Sequence, residues 1–132
     1  MNGIYQLSSY QNLKTYNMAS KKLITFYISQ VVEPIKRKLN LMLLEDIDEL
    51  MQTDDMFHLW CYNNSVIHDW TNEKVDSLLK YKFHLQLSKI EMTNEELQEL
   101  IIWSFQFADS IGLELNYPEG TLDDMLDFKD LK

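Results

Sequence analysis

The stretch FHLWCYNNSVIHDW, Phe57 to Trp70, gathers the residues best suited to chemistry: the chain's single cysteine, two of its three histidines and two of its three tryptophans. A thiol beside an imidazole can form a cysteine nucleophile, and thiol, imidazole and carboxylate are the ligand types of zinc. Asn63-Asn64 predicts a two-residue hairpin turn, because asparagine tolerates the positive φ such turns demand. FHLWCY and SVIHDW then read as paired strands, with Cys61 opposite Val66, Trp60 opposite Ile67 and His58 opposite Asp69. In that register Cys61 and His68 are diagonal neighbours at roughly 7–8 Å between backbones, within reach of a nucleophile pair. Asp69, which would have to orient the imidazole, falls on the other face and breaks the triad logic. A metal fares no better, since His58, Cys61, His68 and Asp69 come from both faces and cannot converge at about 2.0–2.3 Å. Cys61 is therefore expected to be a structural core residue, and no catalytic residue, metal or cofactor is expected. The second face carries His58, Trp60, Tyr62 and Ile67, whose aromatic rings either anchor a partner or pack beneath the N-terminal helices.

Around this stretch, 132 residues with 45% hydrophobic and 12% aromatic content predict one compact domain, residues 1–132, with material for a single core. The longest apolar runs, such as Leu39 to Leu43, fall far short of the ~20 residues of a membrane span. The N-terminus lacks a signal-peptide layout, so a cytoplasmic location is expected. One cysteine forms no internal disulfide. Charge is unevenly spread. Residues 1–39 hold six Lys/Arg against one acid, residues 40–79 one against nine, residues 80–90 three lysines, and residues 91–132 two lysines against eleven acids, for a net −9. Such a field repels nucleic acid and anionic membrane and steers the chain toward a basic partner.

The elements expected to position these residues follow from period and caps. Ser20 with the run from Leu23 to Val32 favours a helix over a strand. Pro34 disfavours helical geometry at Glu33 and opens a helix to about Gln52, with Ile35, Leu39, Met42, Leu43, Ile47 and Leu50 on one stripe. That helix would oppose its own dipole, with Lys36, Arg37 and Lys38 at its start and Glu45, Asp46, Asp48 and Glu49 near its end. Thr71 caps a short helix carrying Val75, Leu78 and Leu79. Tyr81 to Ser88 alternates like a half-buried strand. Thr93 and Glu96 form a capping box, and Gly112 ends the helix between them. Leu113 to Tyr117 alternates again, and Thr121 with Asp124 caps a last helical turn.

These elements predict an α+β domain, mainly helical, with a small sheet from 81–88 and 113–117 and with the 57–70 hairpin as a further member. The alternative is an all-α bundle in which 56–62 continues a helix. The functional expectation is a small acidic, non-enzymatic protein that inhibits by occluding a basic surface, as toxin-immunity and phage anti-defence proteins do, with nucleic-acid mimicry. The partner would be a basic protein such as a nuclease or nucleic-acid-binding enzyme. Asp54, Asp55, Asp123, Asp124 and Asp127 are the expected charged contacts, with Trp60 and Tyr62 as anchors. Two other classes remain open: a small hydrolase or metal enzyme centred on Cys61, His58 and His68, and a structural subunit or homodimer using the apolar breadth of the 94–111 helix around Trp103 and Phe107.

Overall fold

A computed structural model describes residues 19–65, 69–83, 92–117 and 121–124. Of these 79% are helical and none forms a strand, so the described part is all-helical and the α+β expectation is overturned. The elements are α1 (Lys21–Tyr27), a π-helical turn (Ile28–Val32), α2 (Glu33–Leu41), α3 (Leu44–Thr53), α4 (Asp55–Asn64), α5 (Asn72–Lys82), α6 (Asn94–Ser110) and the short α7 (Thr121–Asp124).

α1, the π turn and α2 form one continuous rod. Ser20 caps it, its hydroxyl accepting from the Leu23 N–H at 3.1 Å. Leu23, Tyr27, Val31, Ile35 and Leu39, each four residues apart, are all fully or nearly fully buried. In a regular α-helix that spacing drifts by about 40° per step; the π turn packs more residues into its turn and brings the stripe back to the core. Glu33 is helical at φ −63°, ψ −44°, contrary to the expectation from Pro34. Pro34 has no N–H for the carbonyl four residues back, that of Gln30, and the Tyr117 hydroxyl donates to this carbonyl instead.

The single helix expected from Pro34 to Gln52 is two. Met42 and Leu43 are extended, at ψ 145° and 154°, and the chain turns there. The break removes the opposed dipole: Lys38 falls in the last turn of α2, and Glu45 and Asp46 in the first turn of α3, where each charge is favourable.

α5 and α6 pack against the rod and against each other, while α4 joins through α5 and α3 through α4. Tyr27, at 0% exposure, donates to Asp76 of α5 at 2.7 Å, and Asp76 also pairs with the nearly buried Lys80 at 3.1 Å. Burial first, then the charge of Asp76 and its hydrogen bond, push the Tyr27 hydroxyl well above its ordinary pKa. α6 begins with the expected capping box, Thr93 and Glu96 bonding each other's backbone N–H at 3.1 and 2.8 Å. It ends at Gly112, φ +79°, with Gly112 N–H on the Asp109 carbonyl and Leu113 N–H on that of Ala108, the paired bonds of a Schellman ending.

Three strand expectations fail for separate reasons. Tyr81 and Lys82 complete α5 and Phe83 is its C-cap; His84 to Ser88 lie outside the described residues. Leu113 to Tyr117 does alternate, Leu113, Leu115 and Tyr117 half-buried and Glu114 and Asn116 exposed, but among the described residues it has no partner strand. The first half of the 57–70 hairpin is α4. Asp54 caps it by accepting from the Phe57 N–H at 3.0 Å, Asn63 and Asn64 are its last turn, and Ser65 takes the positive φ of 55°. Ile67 and His68 lie outside the described residues.

Candidate functional site

Helical geometry on α4 replaces the strand register for Phe57 to Asn64 and turns Trp60 inward, while Phe57, Cys61 and Trp70 are buried as the core-face reading expects. Phe57, Trp60 and Cys61, at spacings of three and four, face the core. Trp60 is 4% exposed and donates its ring N–H to the Ser77 hydroxyl at 3.3 Å. Its ring stacks on Trp70 at 5.5 Å, and Phe57 stacks on Trp70 and Phe107 at 5.9 and 6.1 Å. Asn40 clamps the Trp70 backbone, donating to its carbonyl at 3.0 Å and accepting from its N–H at 2.8 Å. Phe57, Trp60 and Trp70 are core, so Trp60 is no surface anchor, and only Tyr62 of the segment's described aromatics is exposed.

Cys61 is buried, and burial, followed by the charge of Asp54, pushes its thiol up to about 12. At neutral pH it is a protonated, poor nucleophile. His58 lies three positions earlier on α4, one turn away on the adjoining side of the helix, and is exposed where Cys61 is buried. Among the described residues no three His, Cys, Asp or Glu side chains are placed to hold a metal.

Asp54 serves the fold as well as any partner. One carboxylate oxygen caps α4 and the other pairs with Lys82. The Lys82 ammonium also lies 5.8 and 5.4 Å from the ring centres of Trp103 and Phe107, a cation–π setting. Asp55 is exposed on the outer face of α4 together with His58, Leu59 and Tyr62; Tyr62 is 75% exposed and Leu59 45%. Asp123 and Asp124 belong to α7 by their backbone, their side chains and Asp127 lying outside the described residues.

Larger in charge is α3, none of whose acids is among the expected contacts Asp54, Asp55, Asp123, Asp124 and Asp127. Only Ile47 and Leu50 of this helix are buried, and Glu45, Asp46, Asp48 and Glu49 are all exposed. Residues 44–64 contain no Lys or Arg. The ion pairs among the described residues join Arg37 to Glu33, Lys80 to Asp76 and Lys82 to Asp54, so none engages the α3 carboxylates. Asp46 and Glu49 wall a recess of about 250 Å³ closed by Lys38, Ser110 and Ile111. The signal that could have found this face is the dipole conflict of an unbroken 34–52 helix, which a break at Met42–Leu43 resolves.

A wider groove of about 710 Å³ runs along α1 between Lys21, Lys22, Phe26 and Tyr117. Its floor is aromatic, Phe26 meeting Tyr117 edge-on at 4.7 Å, and two of its hydroxyls are engaged within the fold, Ser29 on the Thr25 carbonyl and Tyr117 on that of Gln30.

In the described residues, fold and surface together define an all-helical arrangement with an acidic, partly apolar outer face on α3 and α4. No protein-family model matches the chain, and no curated protein or solved structure is significantly similar to it. No helix among the described residues is long and apolar enough to cross a membrane.

Proposed function

We propose that this chain is a non-enzymatic acidic binding protein that occludes a basic surface of a partner protein, with the outer faces of α3 and α4 as the contact. The observation that carries the reading is α3 itself: four carboxylates on one short helix, all exposed and none paired within the described fold. Such charges accelerate encounter with a basic surface and suppress wrong partners, while contributing modestly to affinity once screened. Desolvated contact area comes from Tyr62 and Leu59, flanked by Asp55; tyrosine is among the residues that dominate binding energy at interfaces. A nuclease or another nucleic-acid-binding enzyme is the kind of partner such a polyanionic face fits, in the manner of an immunity or anti-defence inhibitor. The raised thiol pKa and burial of Cys61 weigh against the hydrolase reading.

The test is capture of the partner from host cytoplasm, then binding at roughly 50 and 500 mM salt, where the screening length falls from above to below the physiological value of about 8 Å. Binding is expected to weaken steeply with salt, to lose on-rate in Asp48→Asn/Glu49→Gln, and to dissociate faster in Tyr62→Ala. A partner whose affinity ignores salt and both variants overturns the reading.

A further inference from the structure

The chain turns from α2 into α3 through Leu41, Met42, Leu43 and Leu44. Met42 packs against the core, but Leu41, Leu43 and Leu44 are 80%, 60% and 58% exposed. Half of the chain's large hydrophobics exposed among the described residues lie in this one corner. Leu43 is also the N-cap of α3, in extended geometry and with no side-chain hydrogen bond. Leucine is among the poorest N-cap residues, and Ser, Asp or Asn would satisfy an N–H of the first turn there. The corner thus holds three leucines in water and leaves a helix end uncapped, two independent features that a folded chain in isolation gains nothing from.

We propose that this leucine corner is the apolar anchor of the acidic face and receives a basic amphipathic helix of the partner; the assignment rests on the reading of α3 given above. Charge sets the orientation. Leu44 shares a helix face with Asp48, four residues on, and Glu45 and Asp46 follow it directly, whereas Arg37 and Lys38 lie on the α2 side of the turn. The incoming helix would place its leucine-like face on the corner and its lysines or arginines over α3, away from α2, the mode of groove-bound amphipathic helices read at i, i+3 and i+4.

The full chain is titrated with two synthetic peptides of equal length and charge: one with lysines on one helical face and leucines on the other, and one with serines in place of the leucines. The leucine peptide is expected to bind more tightly, and Leu43→Ser/Leu44→Ser to remove at least about a tenfold share of that advantage, the worth of one buried leucine side chain. Leu43→Ser alone should raise Tm by about 4 °C through the restored cap while weakening the leucine peptide. A fall in Tm would mean that Leu43 serves the fold and would overturn the proposal. Equal binding of both peptides overturns the corner and leaves the acidic face standing; no binding of either at low salt removes both. Self-association at micromolar concentration that Leu43→Ser abolishes would replace the partner helix by a second copy of the chain. Asp48→Asn/Glu49→Gln should weaken both peptides alike, which separates the charge reading from the apolar one.

Discussion

Replacing Asp54 tests how far this acid serves the fold, because its two carboxylate oxygens do different work that different side chains can separate. Asn retains the acceptor that caps α4 and removes the charge facing Lys82; Ala removes both. Loss of an N-cap costs about 1 kcal/mol. Removing one partner of a buried ion pair costs about 3–5 kcal/mol, because the other charge is left uncompensated. Here the Lys82 and Asp54 side chains are 10% and 19% exposed, which places the loss at the low end, about 3 kcal/mol. Asp54→Asn is therefore expected to lower unfolding stability by about 3 kcal/mol and Asp54→Ala by about 4. Lys82→Met should cost about 1 kcal/mol, since methionine still packs on Trp103 and Phe107 and Asp54 keeps its bond to the Phe57 N–H. The double variant Asp54→Asn/Lys82→Met should then recover about 2 kcal/mol relative to the sum of the single losses, the signature of direct coupling. Urea denaturation followed by helical circular dichroism at constant m-value measures all four. An Asp54→Asn loss within about 0.5 kcal/mol of zero, the range of an ordinary surface substitution, would refute the reasoning and return Asp54 to the set of purely external contacts.

Cys61 should react with a thiol reagent at pH 8 at least about a thousandfold more slowly in the folded chain than in urea, since a pKa near 12 in place of an ordinary value near 9 removes that share of thiolate; equal rates would sink the buried-thiol assignment. Both Cys61 and Tyr27 have raised pKa values in the fold, so the unfolded chain loses these protons first as pH rises. Their stabilising effect is intact below their ordinary values and is lost on the way to pH 12, which predicts a fall in Tm above about pH 9, diminished in Tyr27→Phe. Gly112→Ala should cost about 1–2 kcal/mol from the left-handed backbone alone, because an added Cβ would meet only the flexible end of Lys38 at 3.7 and 3.8 Å; a neutral result in thermal unfolding would refute the Schellman ending.

Local hydrogen-bonding chemistry was legible in the sequence. Ser20, Thr71 and Thr93 cap the helices expected of them, and Gly112 takes the positive φ expected at the end of α6, because each cap is closed within three or four residues. Period alone misled wherever apolar residues surround a helix. In α4, Phe57, Trp60 and Cys61 are buried while Leu59 and Tyr62 are exposed, so hydrophobicity does not mark the inner face and alternation imitated a strand. The alternation of Leu113, Leu115 and Tyr117 reports a chain lying on the core, with no strand paired to it among the described residues.

The sequence by itself determined composition, charge, the caps at Ser20, Thr71 and Thr93 and the helix ending at Gly112, all of which depend on residues close together along the chain. Tertiary structure decided what depends on residues far apart. Asp54 meets Lys82, 28 positions away, and Tyr117 reaches the carbonyl that Pro34 leaves open, 87 positions back. The break at Met42–Leu43 carries no glycine, proline or polar cap; it arises because Met42, Ile47 and Leu50 gain burial on a core that no local pattern describes. That turn, and with it the exposure of the α3 carboxylates and of three leucines, exists only once the distant helices have packed.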